Sequence, residues 1–287
     1  MTRVPIGIGF SPCPNDTFMF HALVHGLVEV PRVRFEPWLA DIEELNRRAA
    51  GDDALPVTKL SAFAALHGAA RYAIAPAGAA LGRGVGPLVV VRQAGRRPDR
   101  LAELAGRRVA IPGRRTTAHL LLRCFAGADW EPVEMRFDRI LGAVVRGEVD
   151  AGLVIHESRF TYAGFGLERL ADLGELWEAQ SGLPLPLGVI GIDRGLPATL
   201  RRAITQGIAS SVRYAQACPD ESRSYVRAHA QELADDVCAR HIALYVNESS
   251  AELGAEGRAA LEALAAKARA FGLAPPGPPL FGDDRSG

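Results

Sequence analysis

Four short segments hold residue types that could do chemistry, each where an apolar run gives way to a loop or helix. In Ser11-Pro12-Cys13-Pro14-Asn15-Asp16, two prolines fix the loop. Free amides at the following helix start favour an anion, with Asn15 as the candidate substrate contact. In Thr58-Lys59-Leu60-Ser61, Lys59 supplies a cation and Ser61 a hydroxyl and an amide at a helix start. That set suits a carboxylate. In Pro112-Gly113-Arg114-Arg115-Thr116-Thr117-Ala118, Gly113 frees the loop. Thr116, Thr117 and Ala118 then offer backbone N–H groups at a helix N-terminus. In the fourth segment, Ala151–Phe160, His156 ends a strongly apolar strand. Imidazole takes up a proton near neutral pH, so His156 is the candidate general base. Glu157 and Arg159 point elsewhere if that strand continues.

Each segment also has an ordinary account. Pro, Asn and Asp serve any strand-to-helix turn. Lys59 and Ser61 fit a surface lysine and a helix cap, and Thr116 fits the cap of a basic loop. Taken one at a time, these three segments fit the ordinary account better. His156 stands evenly between a base and a histidine bonded to backbone. What raises it is position, because open α/β sheets bind ligands at the carboxyl ends of their strands.

Other chemistries find little support. His21, His25, His67, His119, His229 and His241 all fit within helices. His21 and His25 are four apart, but an isolated pair without a carboxylate between is poor ground for a metal. Cys13, Cys124, Cys218 and Cys238 form no Cys-x-x-Cys pair. Gly82-x-Gly84-x-Gly86 misses the dinucleotide spacing and precedes a strand instead of following one. No Gly-x-Ser-x-Gly elbow occurs. No metal and no cofactor is expected. The 33 basic and 33 acidic residues cancel, which favours neither nucleic acid nor an anionic membrane as partner. No stretch reaches membrane-spanning length. The first apolar stretch is too short for a signal-peptide core. The expected location is therefore cytoplasmic.

Positioning these segments falls to alternating strands and helices, the pattern of an α/β fold. Strands are expected at Val4–Phe10, Val33–Trp38, Val57–Leu60 and Gly86–Val91. Asp16 and Asp41 are read as helix caps. A second α/β run follows, with strands at Arg108–Ile111, Val133–Arg136 and Ala151–Ile155 and helices at Thr116–Phe125 and Ile140–Arg146. Leu187–Ile192 returns as a strand, and from Pro197 onward the periodicity is helical. The tail from Ala274 reads as surface or frayed chain. Arg92–Asp99 and Gly182–Gly188 read as crossings. They divide the chain into one lobe of residues 1–95 and 187–287 and an inserted lobe of residues 96–186. A cleft between lobes is a common small-molecule site.

Several segments, in this order, resemble those of the 1,4-dihydroxy-6-naphthoate synthases. They are Phe10–Phe18, Asp41-Ile42-Glu43-Glu44-Leu45-Asn46, Thr58-Lys59-Leu60-Ser61, Gly82–Leu88 and Ile155–Tyr162. The resemblance runs from about residue 5 to residue 275. It implies a two-lobed fold like the type II periplasmic binding proteins, with two interlobe crossings and a central cleft. It also implies a cofactor-free lyase of the futalosine route to menaquinone, acting on a small-molecule carboxylate. Cyclic dehypoxanthine futalosine is split into 1,4-dihydroxy-6-naphthoate and dihydroxyacetone. The family's histidine base maps to His156, and its substrate-contacting segments to Lys59-Leu60-Ser61 and Thr116-Thr117-Ala118. Two rivals remain: a chorismate dehydratase of the same pathway, against which Ile155-His156-Glu157-Ser158 argues, and a non-catalytic solute-binding protein.

Overall fold

The apolar run Val4–Phe10 forms strand β1, and Pro14–Val24 follows as helix α1. Then come β2 (Val33–Leu39), α2 (Ile42–Ala49), β3 (Val57–Ser61), α3 (Ala62–His67), β4 (Tyr72–Ile74) and β5 (Ala80–Gly82). The middle of the chain holds β6 (Leu88–Arg92), β7 (Arg108–Ile111), α4 (Thr117–Ala126), β8 (Glu131–Glu134) and α5 (Phe137–Val145). It continues through β9 (Ala151–Val154), α6 (Ser158–Thr161), β10 (Leu167–Asp172) and α7 (Leu173–Ser181). Strand β11 (Leu185–Asp193) leads into α8 (Ala198–Ala217), α9 (Pro219–His229), α10 (Asp235–Tyr245), α11 (Glu248–Ala251) and α12 (Gly254–Ala270). This computed structural model describes residues 3–93, 95, 97–230 and 234–282. Ala94 and Arg96, in the first expected crossing, and residues 283–287 of the expected tail lie outside them.

The elements group into two units, Met1–Gly82 with Pro186–Gly287, and Arg83–Leu185. In the first, the sheet order is β2-β1-β3-β11-β4, with β5 also paired to β11. β1 runs parallel to β2 and β3, while β11 runs antiparallel to β3 and β4. Ile8, Phe10 and Ile190 from this sheet are fully buried, as are Phe20 from α1 and Ile204, Ile208 and Val212 from α8. Each such side chain contributes about 1.5–3 kcal/mol by leaving water.

The second unit has the order β10-β6-β9-β7-β8. β7, β8 and β9 are parallel, and β6 is antiparallel to β9 and β10. Val90, Ala110, Ile140, Val144 and Val154 form its core. Gly152 lets α5 press close, since a Cβ there would lie 2.6 Å from Ile140 and 2.7 Å from Val144.

Two sequence expectations need correction. Gly86–Val91 was placed in the first lobe, but β6 pairs with β9 and β10 in the second sheet, so the unit boundary falls at Gly82–Arg83. β8 starts at Glu131, two residues earlier than expected, because its register is set by β7 through Arg108↔Glu131. The tail, read as surface or frayed chain, is at the surface over residues 275–279 and is then held at Leu280: Ile74 N–H donates to Leu280 O at 2.8 Å, and Arg258 covers the Phe281 ring at 4.2 Å.

The start of α7 touches the segment before β6 at two glycines. A Cβ on Gly86 would collide with the Gly174 backbone and the Asp172 carboxylate. Neither glycine has a positive φ, so the constraint is steric. Gly86→Ala is expected to cost about 1–3 kcal/mol. Gly164→Ala, with nothing within 4 Å of its Cβ, should stay within about 0.5 kcal/mol of wild type. Urea unfolding of both variants checks this, and equal midpoints would refute the close approach.

Candidate active site

In the first unit the register Phe10↔Leu39 and Gly9↔Thr58 brings the carboxyl ends of β1, β2 and β3 to one sheet edge. The loop after β1 leads into α1, whose first residue is Pro14 and whose cap position is Cys13. Asp16 is therefore not the cap expected from sequence. It lies in the first turn, and its carboxylate turns back on the loop. One oxygen, Oδ2, accepts Ser11 N–H at 3.1 Å and Ser11 Oγ–H at 2.8 Å. The other, Oδ1, accepts Asn15 Nδ2–H at 2.9 Å and Lys59 Nζ at 2.8 Å.

Lys59 is no surface lysine: its side chain is 5% exposed and that of Asp16 2%. Nζ also donates to Gly78 O at 3.3 Å. Two desolvated charges survive in an interior only when geometry and further hydrogen bonds compensate them, and four donors on one carboxylate do so. Gly188, paired with Ser61 on β11, leaves the lane the lysine needs, since a Cβ there would lie 3.0 Å from Lys59 Cε. The cation is thus already matched by Asp16.

Ser61 is latched to α2. Its N–H donates to Asn46 Oδ1 at 2.9 Å, and its Oγ accepts Asn46 Nδ2–H at 3.0 Å. Leu60 is 1% exposed, so its side chain belongs to the core and its place in a site is through the backbone. Asn15 Oδ1 faces His241 Nε2 at 3.0 Å.

In the second unit the carboxyl ends of β7, β8 and β9 share an edge, through Ile111↔Glu134 and Ala110↔Gly152. The loop after β7 ends at Thr116, which caps α4: its Oγ accepts His119 N–H at 3.2 Å and donates to Gly113 O at 2.8 Å. Thr117 and Ala118 open the helix. His119 Nδ1 lies 2.8 Å from Arg114 O, so it carries the proton and pins the loop.

His156 stands two residues beyond β9 with φ +56, in the left-handed region. The strand does not continue past Val154, so the condition under which Glu157 and Arg159 would point elsewhere is not met. The chain turns at once into α6, and Arg159 N–H donates to His156 O at 3.3 Å. The imidazole meets Phe137 edge-on, with centroids 4.9 Å apart and planes at 67°. Arg159 then reaches Gly86 O and, at 3.4 Å, Asp172 Oδ2. Asp172 caps α7 by accepting Gly174 and Glu175 N–H at 2.8 and 3.2 Å. Burial pushes the Asp172 carboxyl above the usual range, and Arg159 opposes that shift.

The structure thus brings Asn15, Lys59 and Ser61 to one edge of the first sheet. Thr116, Thr117, Ala118 and His156 lie along one edge of the second. Sequence reasoning missed Asp16 as the partner of Lys59, His241 as the partner of Asn15, and Phe137 and Arg159 around His156. Among the described residues no group of three or more His, Cys, Asp or Glu is placed to hold a metal ion. No described helix is long and apolar enough to cross a membrane.

Two tests follow. Lys59→Met leaves a buried, unmatched carboxylate and is expected to cost about 3–5 kcal/mol. Asp16→Asn with Lys59→Met should cost clearly less, and urea denaturation that ranks the double variant lower would refute the pairing. Burial also holds the His119 imidazole below its ordinary 6.5. The unfolded chain then takes up this proton first, so stability is lost as pH falls through 6.5 towards the folded value. His119→Gln is expected to flatten the fall in urea midpoint across that window; an unchanged slope would exclude His119 as its source.

The family described as menaquinone biosynthesis matches residues 6–270. A 1,4-dihydroxy-6-naphthoate synthase of Thermus thermophilus is 54% identical over 275 residues, 96% of this chain and 98% of that one. One from Streptomyces coelicolor is 45% identical over 281 residues, 96% of each. A crystal structure of a protein from Archaeoglobus fulgidus matches with TM-score 0.86 at 39% identity, over 94% of this chain and 98% of that one. At 9% identity the likeness is to fold alone: a Candida albicans gene product with the generic periplasmic binding protein fold gives TM-score 0.63 over 92% of this chain and 90% of its own. The fold class is the periplasmic-binding-protein-like α/β type expected from sequence. With both curated relatives matched over nearly their whole length, the chain belongs to the 1,4-dihydroxy-6-naphthoate synthase family of menaquinone-biosynthesis enzymes.

Proposed function

We propose that the protein is a cytoplasmic, cofactor-free carbon–carbon lyase. It converts cyclic dehypoxanthine futalosine into 1,4-dihydroxy-6-naphthoate and dihydroxyacetone, with His156 as general base. Aromatising the cyclic precursor requires removal of a proton and cleavage of a carbon–carbon bond. An imidazole can take that proton without a redox group. The observation that carries the reading is the placement of His156. It sits in a left-handed turn at the carboxyl end of a parallel strand, braced edge-on by Phe137, on the sheet edge that also carries the N-terminus of α4. A ring held this way has lost rotational freedom before substrate arrives, which is what proton transfer needs.

The substrate carboxylate needs donors. The Thr116-Thr117-Ala118 segment at the N-terminus of α4, Asn15, and the Lys59-Leu60-Ser61 segment are the groups assigned to it. Because Asp16 already neutralises Lys59, that lysine acts mainly by fixing Asn15 and the β1 loop.

Incubating the purified, desalted and chelator-treated protein with cyclic dehypoxanthine futalosine should release both products. Turnover of the chorismate dehydratase substrate instead, or binding without turnover, would overturn the assignment. His156→Asn keeps size and hydrogen bonding but accepts no proton at neutral pH. It is expected to keep substrate affinity and lower turnover about 10²–10⁴-fold. A variant within a few-fold of wild type, or one that loses melting temperature but not turnover, removes His156 as the base.

A further inference from the structure

Asp16 and Lys59 account for one side of the Asn15 amide, and the other side is held from far along the chain. A carboxylate only accepts, so the Asn15 atom facing Asp16 Oδ1 at 2.9 Å is Nδ2. That places Asn15 Oδ1 against His241 Nε2 at 3.0 Å. Two acceptors cannot bond, so Nε2 must carry a proton. His241 lies on α10, fully buried, its ring tilted against Tyr245 with centroids 4.7 Å apart. A flipped amide would set Oδ1 against the Asp16 carboxylate and Nδ2 against the Nε2–H donor, two repulsions in a low-dielectric site.

The donors that remain point to the ligand chemistry. An amide nitrogen has two hydrogens, and Asp16 takes one from Asn15. The Lys59 ammonium has three, of which Asp16 and Gly78 take two. Asp16 Oδ2 is filled by Ser11. The hydrogens that Asn15 Nδ2 and Lys59 Nζ still have to give suit a carboxylate, carbonyl or hydroxyl oxygen.

We infer that His241 is a positioning residue: it locks the Asn15 amide so that its second Nδ2–H is presented to an oxygen of the substrate. This rests on the proposed function for the identity of that substrate. The effect belongs to binding and acts through Asn15 alone.

The test combines kinetics with a measurement that needs no substrate. On the wild-type protein, nitrogen NMR of the His241 ring should show Nε2 protonated, and the Asn15 side-chain amide protons should exchange slowly. His241→Leu should speed that exchange and raise KM at least about ten-fold with little change in kcat. His241→Gln restores a donor and should recover most of the loss. In an Asn15→Ala background, His241→Leu should leave KM unchanged, because the two residues act as one unit. An unprotonated Nε2, an unchanged KM in His241→Leu, or an equal KM penalty in the Asn15→Ala background overturns the inference. A merely structural His241 gives that last, additive pattern. If wild-type protein does not turn over cyclic dehypoxanthine futalosine, the functional reading fails. The ring protonation and amide exchange then decide the positioning by themselves.

Discussion

A charged lysine in the middle of a fully buried strand is the constraint around which the first unit is arranged. All five residues of β3 are buried, and Lys59 is its central one. Only an opposite charge at hydrogen-bond distance makes that tolerable. Asp16 supplies it, and in doing so ties the loop after β1, the first turn of α1, β3 and the Gly78 carbonyl to one point. The lane for the lysine in turn dictates a glycine at position 188 on the neighbouring strand. The loop that carries Asn15 thus inherits the rigidity of the sheet.

The second unit solves the same problem with the same device. Asp172 is a buried carboxylate beside a helix start, accepting two backbone N–H groups and facing the Arg159 guanidinium. Arg159 lies three residues after His156 and bonds its carbonyl, so the turn that presents the imidazole is fastened to the start of α7. In each unit a carboxylate near a helix N-terminus collects donors, and the residue proposed to meet the substrate hangs from that hub. The organisation favours preorganised geometry over side-chain mobility.

What could be read from sequence followed from local rules. β1, β7 and β9 announce themselves as apolar runs, and Thr116 as a cap before an apolar helix. His156 drew notice because it follows such a run. The pairings were illegible because they are long-range: 43 residues separate Asp16 from Lys59, and 226 separate Asn15 from His241. Local chemistry instead made Asp16 a cap and Lys59 a surface cation, since those are the usual fates of the two residue types. β6 was misassigned for a related reason. Its Val-rich run says strand, but only its ladder to β9 and β10 says which sheet. The left-handed turn at His156 had no signal at all, because it is neither glycine nor asparagine that adopts it.

The return of β11 has a consequence for how the chain reaches its native state. β11 lies between β3 and β4, yet it emerges from synthesis more than a hundred residues after them. Until then β3 has one unsatisfied edge, and β4 has no neighbour on that side. The second unit, by contrast, draws every strand of its sheet from residues 88–172 and is complete before β11 appears. Vectorial synthesis therefore favours an order in which the inserted unit condenses first. The nascent β3, with its lysine, waits for its last partner. During that wait the Asp16–Lys59 pair, formed entirely from the first sixty residues, adds to the β1–β3 ladder in holding the two strands in register.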